Sequence, residues 1–154
     1  MKLYYNSPIG VICLEYSERG ISKLVFVDED EGEGHRAGGM ESRCIRQLDE
    51  YFNKKREIFD LELDLQGTDF KKRVWNELLK IPFGKTITYK ELTLKLGDIK
   101  AIRAVAAANG ANPISIIVPC HRVVGSDGSL TGYAGGLWRK RWLLDHESKD
   151  LFLL

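Results

Sequence analysis

The sequence is poor in cysteine and histidine and contains no long apolar run. Its 154 residues include three of each. Cys13, Cys44 and Cys120 are far apart and form no Cys-x-x-Cys pair. This excludes a disulfide framework or a thiolate zinc knuckle and fits a reducing interior, so a cytoplasmic or nucleoid-associated location is expected. His35, His121 and His146 are too scattered for a metal cluster, and neither metal nor cofactor is expected. No stretch reaches the roughly eighteen apolar residues of a membrane span, and the N-terminus has no signal-peptide core. There is no internal repeat.

The content, 44% hydrophobic and 29% charged, is that of an ordinary globular chain long enough for one or two cores. The net charge of +1 conceals an asymmetry. Residues 1–66 hold 9 Lys/Arg against 14 Asp/Glu, a net of −5, whereas residues 67–154 hold 14 against 8, a net of +6. A basic second half points to a polyanionic partner or to solvated helix faces. Lys2 to Asn6, Val11 to Tyr16 and Ile21 to Val27 read as a three-strand meander joined by tight turns. Asp28 to Met40 reads as a glycine-rich loop, with His35 solvated within it. Glu41 to Lys54 reads as a helix with Cys44 beside its apolar stripe, and Phe59 to Leu65 as a strand or extended linker. Gln66-Gly67 marks a boundary between domains 1–66 and 67–154.

In the second half, Thr68 caps a helix bearing Phe70, Val74, Trp75 and Leu78. Thr88-x-x-Glu91 has the form of a capping box, and Gly97 suits the end of that helix. An Ala-rich helix over 100–109, carrying Arg103, follows closely. The pair makes a helix-turn-helix candidate whose small side chains let the second backbone approach another surface. Leu137 to His146 reads as a last helix with Leu137, Arg141 and Leu144 on one side, ending at Glu147.

The chemistry concentrates at Pro119-Cys120-His121-Arg122. Ile114 to Val118 reads as a buried strand and Val123-Val124 as another extended piece. A lone cysteine in an apolar run is more often core than catalyst. Here an imidazole and a guanidinium adjoin the thiol, and both favour the thiolate that acts as nucleophile. Glu147 is a candidate to orient His121, because a carboxylate at a helix C-terminus is poorly placed for the dipole. Adjacent residues of an extended chain face opposite ways, so a water bridge between Cys120 and His121 is the natural link.

The run Pro119-Cys120-His121-Arg122-Val123-Val124-Gly125 resembles the signature of the O6-alkylguanine-DNA alkyltransferases. The likeness extends over Phe70…Val74-Trp75, Ile81-Pro82-Phe83-Gly84, Thr88-Tyr89, Ala101-Ile102-Arg103-Ala104-Val105, Asn112-Pro113, Tyr133-Ala134-Gly135-Gly136-Leu137 and Glu147. It implies an α+β protein: a small antiparallel sheet with a helix, ribonuclease H-like, then a mainly helical winged helix-turn-helix-like domain. It also implies single-turnover, irreversible transfer of an alkyl group from O6 of guanine in double-stranded DNA to Cys120, with the nucleotide flipped out and O4-alkylthymine as a further candidate substrate. By the same resemblance His121 is the base, acting through water and held by Glu147. Tyr89 gives a proton to the departing guanine and helps rotate the nucleotide, and Asn112 holds the turn near the nucleophile. Arg103 is the finger that fills the gap in the duplex. Tyr89, Ala101, Ile102, Ala106, Asn109 and Arg122 join it at the DNA. Val123, Tyr133, Ala134 and Gly135 line the pocket, no protein partner is needed, and a monomer is expected.

Two positions depart from the family pattern. Ala134 stands where some members carry serine, and Ala111 where many carry a basic residue, which lowers the expected DNA affinity. The zinc ligands of some relatives have no match. Two other readings stand beside transfer: a non-covalent sensor of alkylated DNA, which Cys120 argues against, and a cysteine hydrolase, for which no oxyanion hole is evident. A plain transcription regulator leaves Pro119 to Arg122 unexplained.

Overall fold

A computed structural model describes residues 2–28 and 40–148. The expected loop with His35 lies, but for its two ends, outside the described residues. The chain divides into two compact units, residues 1–66 with 113–115, and residues 67–112 with 116–154.

The first unit is an antiparallel meander of β1 (Lys2–Ser7), β2 (Gly10–Ser17) and β3 (Gly20–Val27), with α1 (Met40–Phe52). The register aligns Leu3, Leu14 and Leu24 across the three strands, and all three are buried. Period-two alternation is what places them on one face. Cys44, Leu48 and Tyr51 form the buried stripe of α1, and Phe52 stacks on Tyr5 of β1 with centroids 6.2 Å apart. The segment 59–65 is an extended linker rather than a regular strand. It meets the sheet through one parallel bridge, Ile21 to Leu63, and through the Ser17 hydroxyl, which donates to the Asp64 carboxylate at 2.7 Å. The Ile21 amide donates to the Glu62 carbonyl at 2.9 Å, and the Asp64 amide to the Ile21 carbonyl at 2.7 Å.

The second unit is built on α2 (Asp69–Leu78), α3 (Tyr89–Leu96) and α4 (Ile102–Gly110), with α5 (Leu137–Glu147) completing it. Thr68 caps α2 by accepting from the Lys71 amide. Both arms of the Thr88–Glu91 capping box form, and Gly97 ends α3 at φ 127°. A 3-10 turn at Ile99–Ala101 leads into α4, so the helix-turn-helix is present. The Trp75 indole N–H donates 2.8 Å to the Ala108 carbonyl, tying α2 to α4 inside the core. β4 (Ile87–Thr88) pairs in parallel with β5 (Val123–Val124). That short ladder sets Tyr89, the first residue of α3, beside the strand that leaves the Cys-His-Arg turn.

Ile114–Val118 is not a strand. Ile114 makes one isolated bridge to Leu24, and the chain then turns, with Ile116 at φ 71°. Such a conformation is costly for a β-branched residue. The run is apolar because it is buried, not because it is regular. Cys120–Arg122 is likewise a 3-10 turn rather than an extended piece. In α5 the buried stripe is Lys140, Leu143 and Glu147, whereas Leu137 is half exposed.

Gly20 marks a close approach within the first unit. A Cβ there would lie 2.5 Å from the Glu62 carbonyl oxygen, at φ +147°. Gly20→Ala is therefore expected to cost about 1–3 kcal/mol. Thermal unfolding followed by circular dichroism checks this, and an unchanged midpoint would show that the 59–65 segment moves aside freely.

Candidate functional site

Cys120, His121 and Arg122 occupy one 3-10 turn and are all buried. Pro119 precedes the turn, and the Arg122 amide closes it on the Pro119 carbonyl at 3.0 Å. The Asn112 amide nitrogen donates to the Val118 carbonyl at 2.7 Å, and the same side chain hydrogen-bonds the Cys120 thiol. Asn112 thus fixes both the approach to the turn and its sulfur.

Behind the turn stands Glu147, at the last position of α5 and 1% exposed. One carboxylate oxygen meets His121 Nε2 at 2.8 Å, and the Arg122 guanidinium engages both oxygens, at 2.7 and 3.0 Å. Arg122 also donates to the Ile81 carbonyl at 2.7 Å. Burial opposes the charge on Glu147, yet the His121 ring and the Arg122 guanidinium hold its carboxyl well below the usual range. For His121, burial is the larger influence and lowers its pKa, against the pull of Glu147. An ionised carboxylate only accepts, so a neutral His121 must carry its proton on Nε2. Nδ1 is left with a bare lone pair, buried and without a hydrogen-bond partner among the described residues. That is the acceptor a base needs.

The thiol differs from the sequence-based expectation. Burial pushes the Cys120 thiol up, only partly offset by the Asn112 hydrogen bond and the charge on Lys140. Arg122 does not activate it, because its guanidinium is committed to Glu147. The resting sulfur is therefore protonated and needs a base when it reacts.

Tyr89 donates its hydroxyl proton to the Thr131 carbonyl at 3.0 Å. The Asn109 side chain favours its ionised form, and a charge on Cys120 would oppose it. Burial raises its pKa, so it is a phenol with a proton to give. The 125–136 segment, which carries Tyr133, Ala134 and Gly135, lies against it. A Cβ on Gly132 would be 3.8 Å from the Tyr89 oxygen. Val123, buried, begins β5 directly after the turn.

On α4 the residues separate. Arg103 is exposed, as are Ala104 and Ala107, while Ala101, Ile102 and Ala106 are half-buried. Two residues expected at the DNA are buried: Asn109 is 1% exposed with its side chain turned into the site, and Arg122 is held in its ion pair.

Lys140 was not legible as a site residue. It lies in the basic run Arg139-Lys140-Arg141, but its side chain is fully buried. Its ammonium donates to the Thr131 carbonyl at 2.8 Å and lies 5.7 Å from the Tyr89 ring centroid. Burial lowers its pKa, and the Cys120 charge pulls the other way. The signal available was spacing, since positions 140, 143 and 147 share one helical face. Among the described residues no group of three or more His, Cys, Asp or Glu side chains is placed to hold a metal.

A helix-turn-helix unit that carries a buried thiol, a neutral imidazole and a locked carboxylate defines the class: a DNA-binding fold with a built-in nucleophile. The model of the 6-O-methylguanine DNA methyltransferase DNA-binding domain matches residues 69–149, and that of the family's ribonuclease-like domain matches residues 1–65. The chain belongs to the 6-O-methylguanine DNA methyltransferase family. It is 47% identical to a methylated-DNA–protein-cysteine methyltransferase of Methanosarcina barkeri, over 97% of this chain and 99% of that one. The crystal structure of the Mycobacterium tuberculosis O6-methylguanine methyltransferase superposes with a TM-score of 0.83 at 44% identity, over 99% of each chain. A second structure, M. tuberculosis OGT in complex with DNA, matches with a TM-score of 0.83 at 44% identity, over 99% of this chain and 98% of that one.

Glu147 makes the site sensitive to acid. Its folded-state pKa is depressed, so its contribution to stability is present above the usual carboxylate range and declines as pH falls below about 4. Glu147→Gln leaves the buried Arg122 charge unpaired and is expected to cost roughly 3–5 kcal/mol at neutral pH. The gap to wild type narrows at pH 3. Urea unfolding at the two pH values measures it, and equal midpoints at neutral pH would refute the coupling.

Proposed function

We propose that the protein repairs DNA directly, by moving the alkyl group from O6 of an alkylated guanine onto the sulfur of Cys120. The observation that carries this is the bare Nδ1 of a neutral His121, buried beside a protonated thiol and backed by Glu147. His121 takes the thiol proton through water. The sulfur attacks the alkyl carbon, the S–C bond forms and the C–O6 bond breaks. Tyr89 gives a proton to the departing purine. The proton held by His121 replaces the one Tyr89 gave, so the balance closes as thiol plus O-alkylguanine giving thioether plus guanine. No step regenerates the thiol, so each molecule reacts once. Any O4-alkylthymine offers the same alkyl–oxygen bond to the same sulfur.

A duplex hides the reacting carbon, and flipping the nucleotide costs a few kcal/mol, less for a poorly paired base. Exposed Arg103 is the side chain to fill the gap. Ala104 and Ala107 let α4 approach the groove closely, with Ala101, Ile102 and Ala106 at the margin. Val123, Tyr133, Ala134 and Gly135 form the wall of the pocket for the base. In this reading residues 67–154 bind DNA and accept the alkyl group, residues 1–66 are structural, and the protein works as a monomer in the cytoplasm or nucleoid.

Intact-protein mass spectrometry tests the reaction with a duplex carrying one O6-methylguanine. A gain of one methylene unit on Cys120, absent in Cys120→Ala, is the expected result. Tight lesion binding with no mass change would make the protein a sensor instead. At the DNA, Arg103→Ala is expected to weaken binding to a lesion-bearing duplex, because the gap left by the flipped nucleotide is no longer filled. Fluorescence anisotropy reads the affinity, and binding equal to wild type would remove Arg103 from that role.

A further inference from the structure

Asn109 is the unexplained polar group of the site. It occupies the last turn of α4 but faces inward, 1% exposed. Its amide nitrogen lies 3.4 Å from the Cys120 carbonyl oxygen, and the same side chain favours the ionised form of the Tyr89 hydroxyl, as a donor facing that oxygen does. Its Oδ1 is buried with no partner among the described residues. The amide N–H groups are therefore what Asn109 turns toward the Cys120 carbonyl and the Tyr89 oxygen. A phenol oxygen that accepts from one side directs its single proton elsewhere, and here that proton goes to the Thr131 carbonyl.

We propose that Asn109 is a positioning residue for proton delivery, clamping the Tyr89 oxygen to the nucleophile turn so that the phenol proton faces the departing purine. The inference rests on the alkyl-transfer reading above. Three features favour it. The N–H groups of one side chain face both the Tyr89 oxygen and the Cys120 carbonyl, so a single amide links the phenol to the nucleophile turn. The amide donates to the oxygen on which negative charge develops as Tyr89 releases its proton, and a donor so placed is worth most in a water-poor site. Asn109 also shares α4 with exposed Arg103, so the helix proposed to meet DNA carries the clamp on its inner face. An inward amide with an unsatisfied oxygen is costly to bury, and packing alone does not call for one.

Single-turnover methyl transfer from an O6-methylguanine duplex tests this in wild type, Asn109→Leu, Tyr89→Phe and the double variant. Leucine fills the space of asparagine without its polar atoms, and Asn109→Ser is the second variant should leucine disturb folding. Asn109→Leu is expected to slow the maximal rate by about 10-fold, a part of the roughly 100- to 10,000-fold that general-acid assistance supplies because the phenol itself remains, at an unchanged half-saturating DNA concentration. In the Tyr89→Phe background the same substitution is expected to change the rate less than 2-fold, because residues acting as one unit are not additive. Iodoacetamide labelling of Cys120, which needs no proton donor, is expected to match wild type. Equal losses in both backgrounds, or slowed labelling, would show that Asn109 only shapes the nucleophile turn, and the proposal falls while transfer stands. No transfer by wild type would overturn both.

Discussion

The carboxylate of Glu147 is the point on which the second unit turns. It is buried, charged and bound to two consecutive residues of another segment, His121 and Arg122. A charge taken out of water survives only if its partners are close and complete. Arg122 supplies a two-point contact that fixes the plane of the carboxylate. With the plane fixed, the bond to Nε2 fixes the tautomer of His121 and leaves Nδ1 without a proton. The ion pair is therefore more than a brace, because it decides which imidazole nitrogen is free to take a proton. Arg122 finds its further partner at the Ile81 carbonyl, just beyond α2, so helix ends and nucleophile turn are held by one guanidinium.

Burial sets the reactivity of the sulfur in a sense that proximity alone does not convey. Neighbouring imidazole and guanidinium groups suggest a depressed thiol pKa, but a guanidinium committed to a carboxylate lends little to a third group. The Cys120 pKa is raised by its dry surroundings. A protonated resting thiol is protected from oxidants and stray electrophiles, since the thiolate is the reactive form. For a protein that can react only once, that protection has clear value. In the proposed reaction Lys140 is the buried cation whose field would favour the thiolate once the proton has moved to His121. Its own pKa, lowered by burial, is raised by that same thiolate, so the two charges support each other only in the reactive state.

What the sequence made legible was local chemistry. The Thr68 and Thr88 caps, the Gly97 stop and the strands of the meander depend on residues within one turn of each other, and they formed at the expected places within a residue or two. The pairing of His121 with Glu147 was also accessible, because a carboxylate at a helix C-terminus asks for an explanation. Backbone irregularity was not. Ile114–Val118 is as apolar as any strand, yet Ile116 adopts φ 71°, a conformation that no local composition signals. Inward and outward faces of α4 and α5 were also misjudged. Alanine carries no amphipathic signal in α4, and in α5 two of the buried residues, Lys140 and Glu147, are charged. A helix that buries charge for function erases the stripe by which its orientation is read.

The same erasure explains how four distant stretches come to one place. Tyr89, Asn109 and Asn112, the Cys120 turn, and the Thr131-to-Glu147 stretch all belong to the second unit. The parallel pair β4–β5 joins two of them by lining up Thr88 with Val124 and Ile87 with Val123. Since Thr88 is also the α3 cap, the Tyr89 ring leaves the helix at a position that the capping box and the ladder fix together. The Thr131 carbonyl then receives both the Tyr89 hydroxyl and the Lys140 ammonium. One backbone oxygen thus gathers the Tyr89 phenol, the buried cation and the 125–136 segment. In the proposed proton delivery from Tyr89 to a purine, that oxygen would keep Lys140 as partner and would not be left bare. The rearrangement the proposal requires would cost little because the acceptor is shared.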